Sequence, residues 1–275
     1  MAFDNRLLVM LFYKKFEIDP NADWVVFIHG AGGSSAVWHK QIKPFKSAYN
    51  LLLIDLRGHG KSAETEDWAK KTYSFKAIAE DVINVLDHLQ IQKAHFVGVS
   101  LGTIIIRQIA DMRESLVKSM ILTGAISRLN FKSQFFVNMG NAFKRVVPYM
   151  WLYKLFAWVI MPYKTHTESR ITFVNEAKKL CQKEFLRWFK LTAQVNPILR
   201  YLEEKHMHIP TLYIMGSEDH MFLGPVAELV KRGKMEFLHI IEKCGHVVNI
   251  ERAAEFNEHS LAWLAQKADG ISYLK

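Results

Sequence analysis

The sequence predicts an α/β protein: a mostly parallel central sheet with helices on both faces, interrupted by one helical insertion. Three observations predict this fold class: continuous apolar runs, amphipathic segments that alternate with them, and one aromatic-rich stretch where the alternation stops. Strands of a parallel sheet covered on both faces are continuously apolar, which matches the runs. The 275 residues are enough for one large domain of this kind.

Six short, largely apolar runs predict the inner strands, because each has strand length and is followed by glycine or a polar residue. The segment Leu7–Ile18 precedes them and predicts one or two edge strands. The six runs are Trp24–Ile28, Leu51–Ile54, Phe96–Val99, Met120–Thr123, Leu212–Met215 and Phe237–Ile241.

Five segments between or after these runs predict helices. Phe75–Leu89 has the clearest three- and four-residue apolar spacing. Ser34–Lys46 opens with serines, and Pro225–Lys231 begins with a proline, which the first turn of a helix tolerates. Leu101–Met112 and Asn249–Ala265 complete the set.

The alternation stops between about Leu129 and Met207, where no run predicts a strand. Apolar residues recur there at helical spacing, which predicts residues 129–207 as a helical lid between two strands of the sheet. Residues 1–128 and 208–275 then form the core domain. The periodic residues of the insertion are Ile171, Val174, Ala177, Cys181, Phe185 and Trp188.

The most informative motif is Gly98-Val99-Ser100-Leu101-Gly102, between a predicted strand and a predicted helix. A serine on so sharp a turn projects its hydroxyl clear of the sheet, where the first helix amides face the reacting centre. Ser100 is therefore a candidate nucleophile. The alternative is an ordinary helix N-cap, a position that serine often fills.

Polar residues also follow other predicted strands, and the carboxyl ends of parallel strands are where functional groups collect. Five short stretches are Phe27-Ile28-His29-Gly30-Ala31-Gly32-Gly33-Ser34, Asp55-Leu56-Arg57-Gly58-His59-Gly60-Lys61-Ser62, the motif at 98–102, Gly216-Ser217-Glu218-Asp219-His220 and Gly245-His246. In this order they resemble the α/β-hydrolase fold family, specifically its small lid-bearing serine hydrolases and esterases, whose chain order is nucleophile, acid, histidine. The resemblance covers nearly the whole chain.

The resemblance implies a role for each of five residues. Ser100 attacks a carbonyl carbon, His246 is the general base, and Asp219 orients the imidazole and stabilises its charged form. The backbone amides of Ala31 and Leu101 hold the oxyanion.

Two of these assignments have neighbours that compete with them. Glu218 adjoins Asp219, which is preferred because the family's acid usually follows the strand in a Gly-x-x-Asp setting; the alternative for Asp219 is a turn aspartate. Gly32 replaces Ala31 if the loop is shifted by one residue. Some relatives carry the acid before the lid, but residues 123–127 contain no carboxylate.

The two cysteines, Cys181 and Cys244, form no C-x-x-C motif, so we expect no metal site, and the implied chemistry needs no cofactor. Cys181 is expected to be a buried small residue on a helix. Cys244 lies two residues before His246 and is a rival nucleophile without a turn motif to support it. The turn around His59 is expected to be structural.

Residues 130–210 carry 13 Lys and Arg against 5 acidic residues, so the chain's net charge of +9 belongs mainly to the insertion. No motif predicts nucleic-acid binding. Three interpretations of this charge stay open: weak contact with an anionic membrane surface, attraction of an anionic acyl substrate, and a solvated helix face. The apolar stretch Val146–Pro162 is shorter than the roughly twenty residues of a membrane span. The first residues lack the features of a signal peptide, so we expect a cytoplasmic protein.

Together these observations predict a serine hydrolase that cleaves a carboxylic ester of a small, largely apolar acyl substrate. The Phe, Trp and Met content of the insertion predicts a mostly apolar acyl pocket beneath it. Alternatives with the same three residues are cleavage of a lactone, a thioester or a carbon–carbon bond. A non-catalytic ligand receptor of the same fold is the alternative from another class.

Overall fold

The computed structural model of the chain describes residues 10–64, 72–129, 134–135, 138–140, 142, 146–205 and 207–268. Within them, seven strands form one sheet in the order β1-β3-β2-β4-β5-β6-β7. Strand β1 is antiparallel to β3 at one edge, and all other neighbours are parallel, which confirms the predicted fold class. The strands are β1 (Tyr13–Phe16), β2 (Trp24–Ile28), β3 (Asn50–Ile54), β4 (Ala94–Val99), β5 (Val117–Thr123), β6 (Thr211–Gly216) and β7 (Glu236–Ile241).

Strands β2–β7 correspond to the six apolar runs, with β7 at one edge of the sheet. Strand β1, at the other edge, is the predicted edge strand; residues 7–9 of that prediction lie outside the described residues. The α-helices around the sheet are numbered here in chain order. They are α1 (His39–Phe45), α2 (Phe75–His88), α3 (Leu101–Met112), α4 (Tyr149–Ile160), α5 (Thr167–Ala177), α6 (Gln182–Lys190), α7 (Thr192–Glu204), α8 (Leu223–Arg232), α9 (Val248–Glu251) and α10 (Ala253–Ala268).

Two predicted helices differ in detail from the structure. The segment predicted from Asn249 is two helices, α9 and α10, interrupted at Arg252. Helix α8 begins at Leu223, so Pro225 lies within its first turn and not at its first position. A proline anywhere in the first turn removes no intrahelical hydrogen bond, so the sequence alone does not distinguish these starts.

Strand order places a crevice at the carboxyl edge of the sheet. Strand β3 lies on one side of β2 and β4 on the other, so the direction of chain progression reverses between β2 and β4. Such a reversal leaves room between the two connections that leave these strands. His29 follows β2 and Ser100 follows β4 at this point.

Alternate residues of the strands face two separate hydrophobic layers. Val26 and Ile28 of β2 face the layer that contains α2 and α3, while Val25 and Phe27 face the layer of α1 and α10. Both faces of the sheet are therefore buried, which is why the strands have continuous apolar sequences.

The stretch between β5 and β6 contributes helices α4–α7, which we call the insertion helices (residues 149–204). The apolar periodicity from Ile171 onward crosses a break, because α5 ends at Ala177 and α6 begins at Gln182. Cys181 lies in this break, exposed, in extended backbone that precedes α6. The prediction of a buried helical Cys181 is thus wrong: the spacing happened to continue across a turn. The predicted domain boundaries at 128 and 208 stay a prediction.

None of the helices in the described parts of the chain is both long and apolar enough to cross a bilayer.

A buried ion pair fixes the turn after β3 to helix α2. Arg57 pairs with Asp81, with side-chain exposures of 3% and 5%. The same guanidinium donates to the carbonyl oxygens of Thr72 at 2.9 Å and Ala77 at 3.0 Å. One charge that has been removed from water therefore joins the turn to α2 and to the residue Thr72 before it.

Asp81→Ala removes the carboxylate that contacts the buried Arg57 charge. We expect the free energy of unfolding to fall by about 3–5 kcal/mol, measured by urea denaturation at neutral pH. The matched control is Asp87→Ala on the same helix, which breaks the half-exposed pair with Arg113 and should cost only about 0–1 kcal/mol. Equal losses for the two variants would contradict the role given to the buried pair.

Candidate active site

Ser100 occupies the turn that joins β4 directly to α3. Its backbone has φ 54° and ψ −121°, a left-handed conformation that costs an L-residue energy. Its amide donates to the carbonyl oxygen of Thr123 at 3.0 Å, which ties the turn to the neighbouring strand. The hydroxyl makes no capping hydrogen bond to α3. The N-cap interpretation therefore does not account for this serine.

Two glycines let the turn pack closely. A Cβ on Gly102 would lie 2.3 Å from the carbonyl oxygen of Ile28, which belongs to the backbone of β2 and has no room to move. A Cβ on Gly98 would lie 2.5 Å from Cδ1 of Ile106. The pattern of glycines at both ends of the motif thus follows from the contact of α3 with the end of the sheet.

His246 and Asp219 meet at the carboxyl edge next to this turn. Nδ1 of His246 lies 2.8 Å from Oδ2 of Asp219, and both side chains are buried, at 3% and 0% exposure. Asp219 Oδ1 also accepts from the amide of Phe222 at 3.2 Å, which fixes the carboxylate. Nε2 of His246 is buried and has no partner within the described structure. The ring is therefore held at one nitrogen and open at the other.

Glu218, the rival acid, points to a different histidine. Its Oε2 lies 2.8 Å from Nε2 of His166, a buried residue at the start of α5, and 3.2 Å from the hydroxyl of Thr165. Glu251 lies 3.9 Å from the same His166 nitrogen and accepts from the amide of Gly245 at 2.7 Å. The structure thus brings Asp219, and not Glu218, to His246.

Sequence reasoning missed the part played by His166. It joins an insertion helix to the two loops that carry Asp219 and His246. In the sequence His166 lies in a segment without motifs, and its neighbours do not distinguish it from the chain's other histidines.

The backbone amides of the loop after β2 differ in whether they already bind an acceptor within the protein. The amide of Gly32 donates to Nε2 of His59 at 3.0 Å, and that of Gly33 donates to the carbonyl oxygen of Gly30 at 3.1 Å. The amides of Ala31 and of Leu101, at the start of α3, have no such acceptor among the described residues. This geometry favours Ala31 over Gly32 as the second oxyanion donor.

Two neutral histidines support this loop from below. Nδ1 of His59 lies 2.9 Å from the carbonyl oxygen of Arg57, so this nitrogen carries the proton and Nε2 accepts from Gly32. Burial, with the adjacent His29 ring acting in the same direction, lowers the pKa of His59 from 6.5 to about 3. Burial also lowers the pKa of His29, whose Nε2 accepts from the amide of Leu56 at 2.9 Å. The turn around His59 is thus structural, with both rings held uncharged.

A cavity of about 240 Å³ joins these groups. Ser100, His246, Ala31 and Leu101 all line it. Most of the remaining wall is apolar, and much of it comes from the insertion helices. Those side chains include Tyr153, Phe156, Val159, Ile160, Phe185 and Trp188.

The charged lining of the cavity is acidic. Glu176 lines it and accepts a hydrogen bond from the hydroxyl of Ser34 at 2.6 Å. No lysine or arginine of the described residues is in its wall. The basic residues of the insertion that the structure describes therefore do not line the cavity, which disfavours attraction of an anionic acyl group.

Cys244 does not behave as a rival nucleophile. It is fully buried, its Sγ faces the carbonyl oxygen of Gly245 at 3.8 Å, and it is not part of the cavity wall. Burial, with Glu251 nearby, raises the pKa of its thiol, so the reactive thiolate is disfavoured. In the described structure, no cluster of three or more His, Cys, Asp or Glu side chains has the arrangement of a metal site.

Comparison with known proteins places the fold. A family profile described as "alpha/beta hydrolase fold" matches residues 23–150. The chain is 38% identical over 82 residues to 3-oxoadipate enol-lactonase 1 of Acinetobacter baylyi, covering 30% of this chain and 29% of that protein. It is 32% identical over 113 residues to the putative carbamate hydrolase RutD of Stutzerimonas stutzeri, covering 41% and 42%. Both matches span less than half of the relatives' length.

Solved structures extend the likeness to nearly the whole chain. A carboxylesterase structure from the thaumarchaeon Nitrososphaera gargenis superposes with a TM-score of 0.75, covering 95% of this chain and 96% of that one. The sequence identity is 19%, so this likeness speaks for the fold alone.

His59→Gln should make the stability of the protein less sensitive to acid. A pKa lowered to about 3 means that the unfolded chain binds a proton between about pH 6.5 and 3 that the folded chain does not. Stability is therefore full above pH 6.5 and falls as the pH drops. Removing His59 should reduce this slope by about 1.4 kcal/mol per pH unit within that window.

The measurement is the free energy of unfolding in urea at pH 7, 6, 5 and 4. His88→Gln, at an exposed histidine on α2, is the control and should leave the slope unchanged. An unchanged slope in His59→Gln would mean that His59 is not held neutral by the fold.

Proposed function

Since the chain belongs to the α/β-hydrolase fold family, we propose that it is a serine hydrolase that forms an acyl-enzyme on Ser100. The observation that carries the proposal is the buried pair of His246 and Asp219, 2.8 Å apart, in which His246 lines the same cavity as Ser100. A buried imidazole with one nitrogen held by a carboxylate and the other unpartnered is the arrangement that a general base requires.

The proposed reaction runs in two halves. Ser100 Oγ attacks the carbonyl carbon while His246 Nε2 takes the hydroxyl proton, and Asp219 stabilises the imidazolium that results. The amides of Ala31 and Leu101 hold the negative oxygen of the tetrahedral intermediate. The carbon–oxygen bond to the leaving group then breaks, and the leaving alkoxide takes the proton from His246. Water, deprotonated by His246, attacks the acyl-enzyme, and Ser100 leaves with that proton.

The cavity supports a carboxylic ester with an apolar acyl group as substrate. Its wall consists mostly of aliphatic and aromatic side chains, and the charged side chain among them is the carboxylate of Glu176. Such a wall favours an uncharged hydrocarbon group over an anionic one. The cytoplasmic location predicted from the sequence stays a prediction.

A lactone is the second candidate substrate. The observation in its favour is the enol-lactonase relative, identical to this chain at 38% of 82 aligned positions. A lactone is an internal ester, so the same attack opens its ring and leaves the alcohol attached to the acyl group. A panel of esters, lactones and thioesters distinguishes these substrates.

Ser100→Ala should abolish covalent labelling by a fluorophosphonate probe, because the probe reacts with an activated serine hydroxyl. Turnover of p-nitrophenyl butyrate should fall by about 10⁴-fold or more. Labelling is measured by intact-protein mass spectrometry and turnover by absorbance. A ligand receptor without activity would neither label nor turn over, and robust turnover by Ser100→Ala would overturn the proposal.

The two adjacent carboxylates provide a matched control. Asp219→Asn should reduce kcat by about 10⁴-fold, because the imidazole loses its negative partner. Glu218→Gln removes a neighbouring carboxylate that is bound to His166, and it should retain most of the activity. A reversed order of the two variants would transfer the role of the acid to Glu218.

A series of p-nitrophenyl esters tests the apolar acyl pocket. We expect kcat/KM to rise from acetate toward medium-length chains, because each buried methylene contributes about 0.8 kcal/mol until the cavity is full. Ser100→Ala supplies the blank for spontaneous hydrolysis. A flat series, or one in which acetate is the best substrate, would exclude an acyl pocket of this kind.

A further inference from the structure

Helix α4 is apolar on two opposite sides. Tyr153, Phe156 and Val159 point inward and line the cavity. Trp151, 70% exposed, and Trp158, 63% exposed, lie on the other side. A helix that is apolar all round is normally covered on all sides, whereas within the described residues one face of α4 stays exposed.

The exposed side chains of α4 form one stripe. Trp151, Leu155 and Trp158 are spaced by four and three residues, which places them on the same helix face. Leu155 is 40% exposed. Tyr163, 51% exposed, follows directly after the helix. We call these four residues the α4 stripe.

Positive charge borders the α4 stripe. Lys154 is exposed on α4, Lys164 is exposed beside Tyr163, and the guanidinium of Arg170 lies 5.6 Å from the ring centre of Trp158. Residues 149–167 contain no Asp or Glu. The next acidic residue, Glu168, is paired with Lys40 at 2.6 Å. The stripe is therefore apolar and aromatic at its centre and basic at its rim.

We propose that the α4 stripe docks on the surface of an anionic lipid bilayer. Tryptophan and tyrosine favour the boundary between headgroups and acyl chains, and lysine and arginine favour anionic headgroups. A second copy of this chain fits less well, because a two-fold contact places the same patch of both copies together and would bring two basic rims into contact. The described basic residues of the insertion do not line the cavity, whose charged side chain is the acidic Glu176, so they have no role there.

Docking on this face would bring lipid close to the candidate active site. The same helix that forms the stripe forms part of the cavity wall, so one helix separates the bilayer from the acyl pocket. This step rests on the proposed function: the substrate class becomes an apolar ester carried in the lipid phase. The docking itself does not depend on that function.

The test is co-sedimentation with phosphatidylcholine vesicles made with and without phosphatidylglycerol. We expect the protein to bind the anionic vesicles, to bind pure phosphatidylcholine more weakly, and to lose affinity at high salt. The double variant Trp151→Ser and Trp158→Ser should bind at least about tenfold more weakly, because it loses the aromatic centre of the stripe. Leu155→Glu, at an exposed position, should also weaken binding by adding a negative charge.

The control is Ile18→Ser, at an exposed apolar residue whose amide binds Asn50 near the opposite edge of the sheet; its binding should equal that of the unaltered protein. Circular dichroism verifies that each variant is folded. Failure of the unaltered protein to bind anionic vesicles, or equal binding by the stripe variants, would overturn the proposal. So would a dimer that the double variant dissociates, because the stripe would then be an interface between copies.

Hydrolysis of soluble p-nitrophenyl butyrate separates this proposal from the proposed function. Since Trp151, Leu155 and Trp158 do not line the cavity, their variants should retain that activity. Ser100→Ala should bind vesicles as the unaltered protein does. If the unaltered protein hydrolyses this ester but does not bind anionic vesicles, the docking alone is refuted, whereas vesicle binding without any hydrolase activity would refute the function alone.

Discussion

The structure depends on one close contact, between the first turn of α3 and the carboxyl end of β2. Gly102 lies so near the carbonyl of Ile28 that no side chain fits between them. This contact holds α3 against the sheet directly after β4, so the chain turns sharply at Ser100 and takes a left-handed backbone there. The energetic cost of that conformation is met by the packing around it. The exposed hydroxyl is a consequence of this backbone and not of the serine itself.

The loops around Ser100 are held by hydrogen bonds between backbone groups and buried side chains. His29 and His59 are buried, have lowered pKa values and orient the backbone of the β2 and β3 loops. Asp55 completes this support, because its carboxylate accepts from the amides of Ser35 at 2.6 Å and Lys61 at 2.9 Å. The amides of Gly32 and Gly33 are engaged, whereas that of Ala31 has no acceptor among the described residues. A loop rich in glycine can thus have one defined conformation.

The insertion helices connect to this edge at more than one point. His166 lies between Glu218 and Glu251. Glu218 adjoins Asp219 in the chain, and Glu251 binds the amide of Gly245, which adjoins His246. Glu184, at the start of α6, binds Tyr73 and Arg187 beside the Arg57 turn. The helices therefore rest on the same loops that carry the candidate catalytic residues. A displacement of the insertion helices would therefore also displace these loops, through the contacts of His166 and Glu184.

The sequence by itself determined the order of strands and helices and the edge at which polar groups collect. Those features follow from local apolar patterns and from glycines at a sharp turn, and both can be seen in a few neighbouring residues. The exposed position of Cys181, the preference for Ala31 over Gly32, the partner of Glu218 and the exposed face of α4 were decided by the tertiary structure. Each depends on side chains far apart in the chain, as with His166 and Glu218, or on which face of a helix is covered. A single sequence contains no record of such contacts, because they arise only when the insertion helices settle on the sheet.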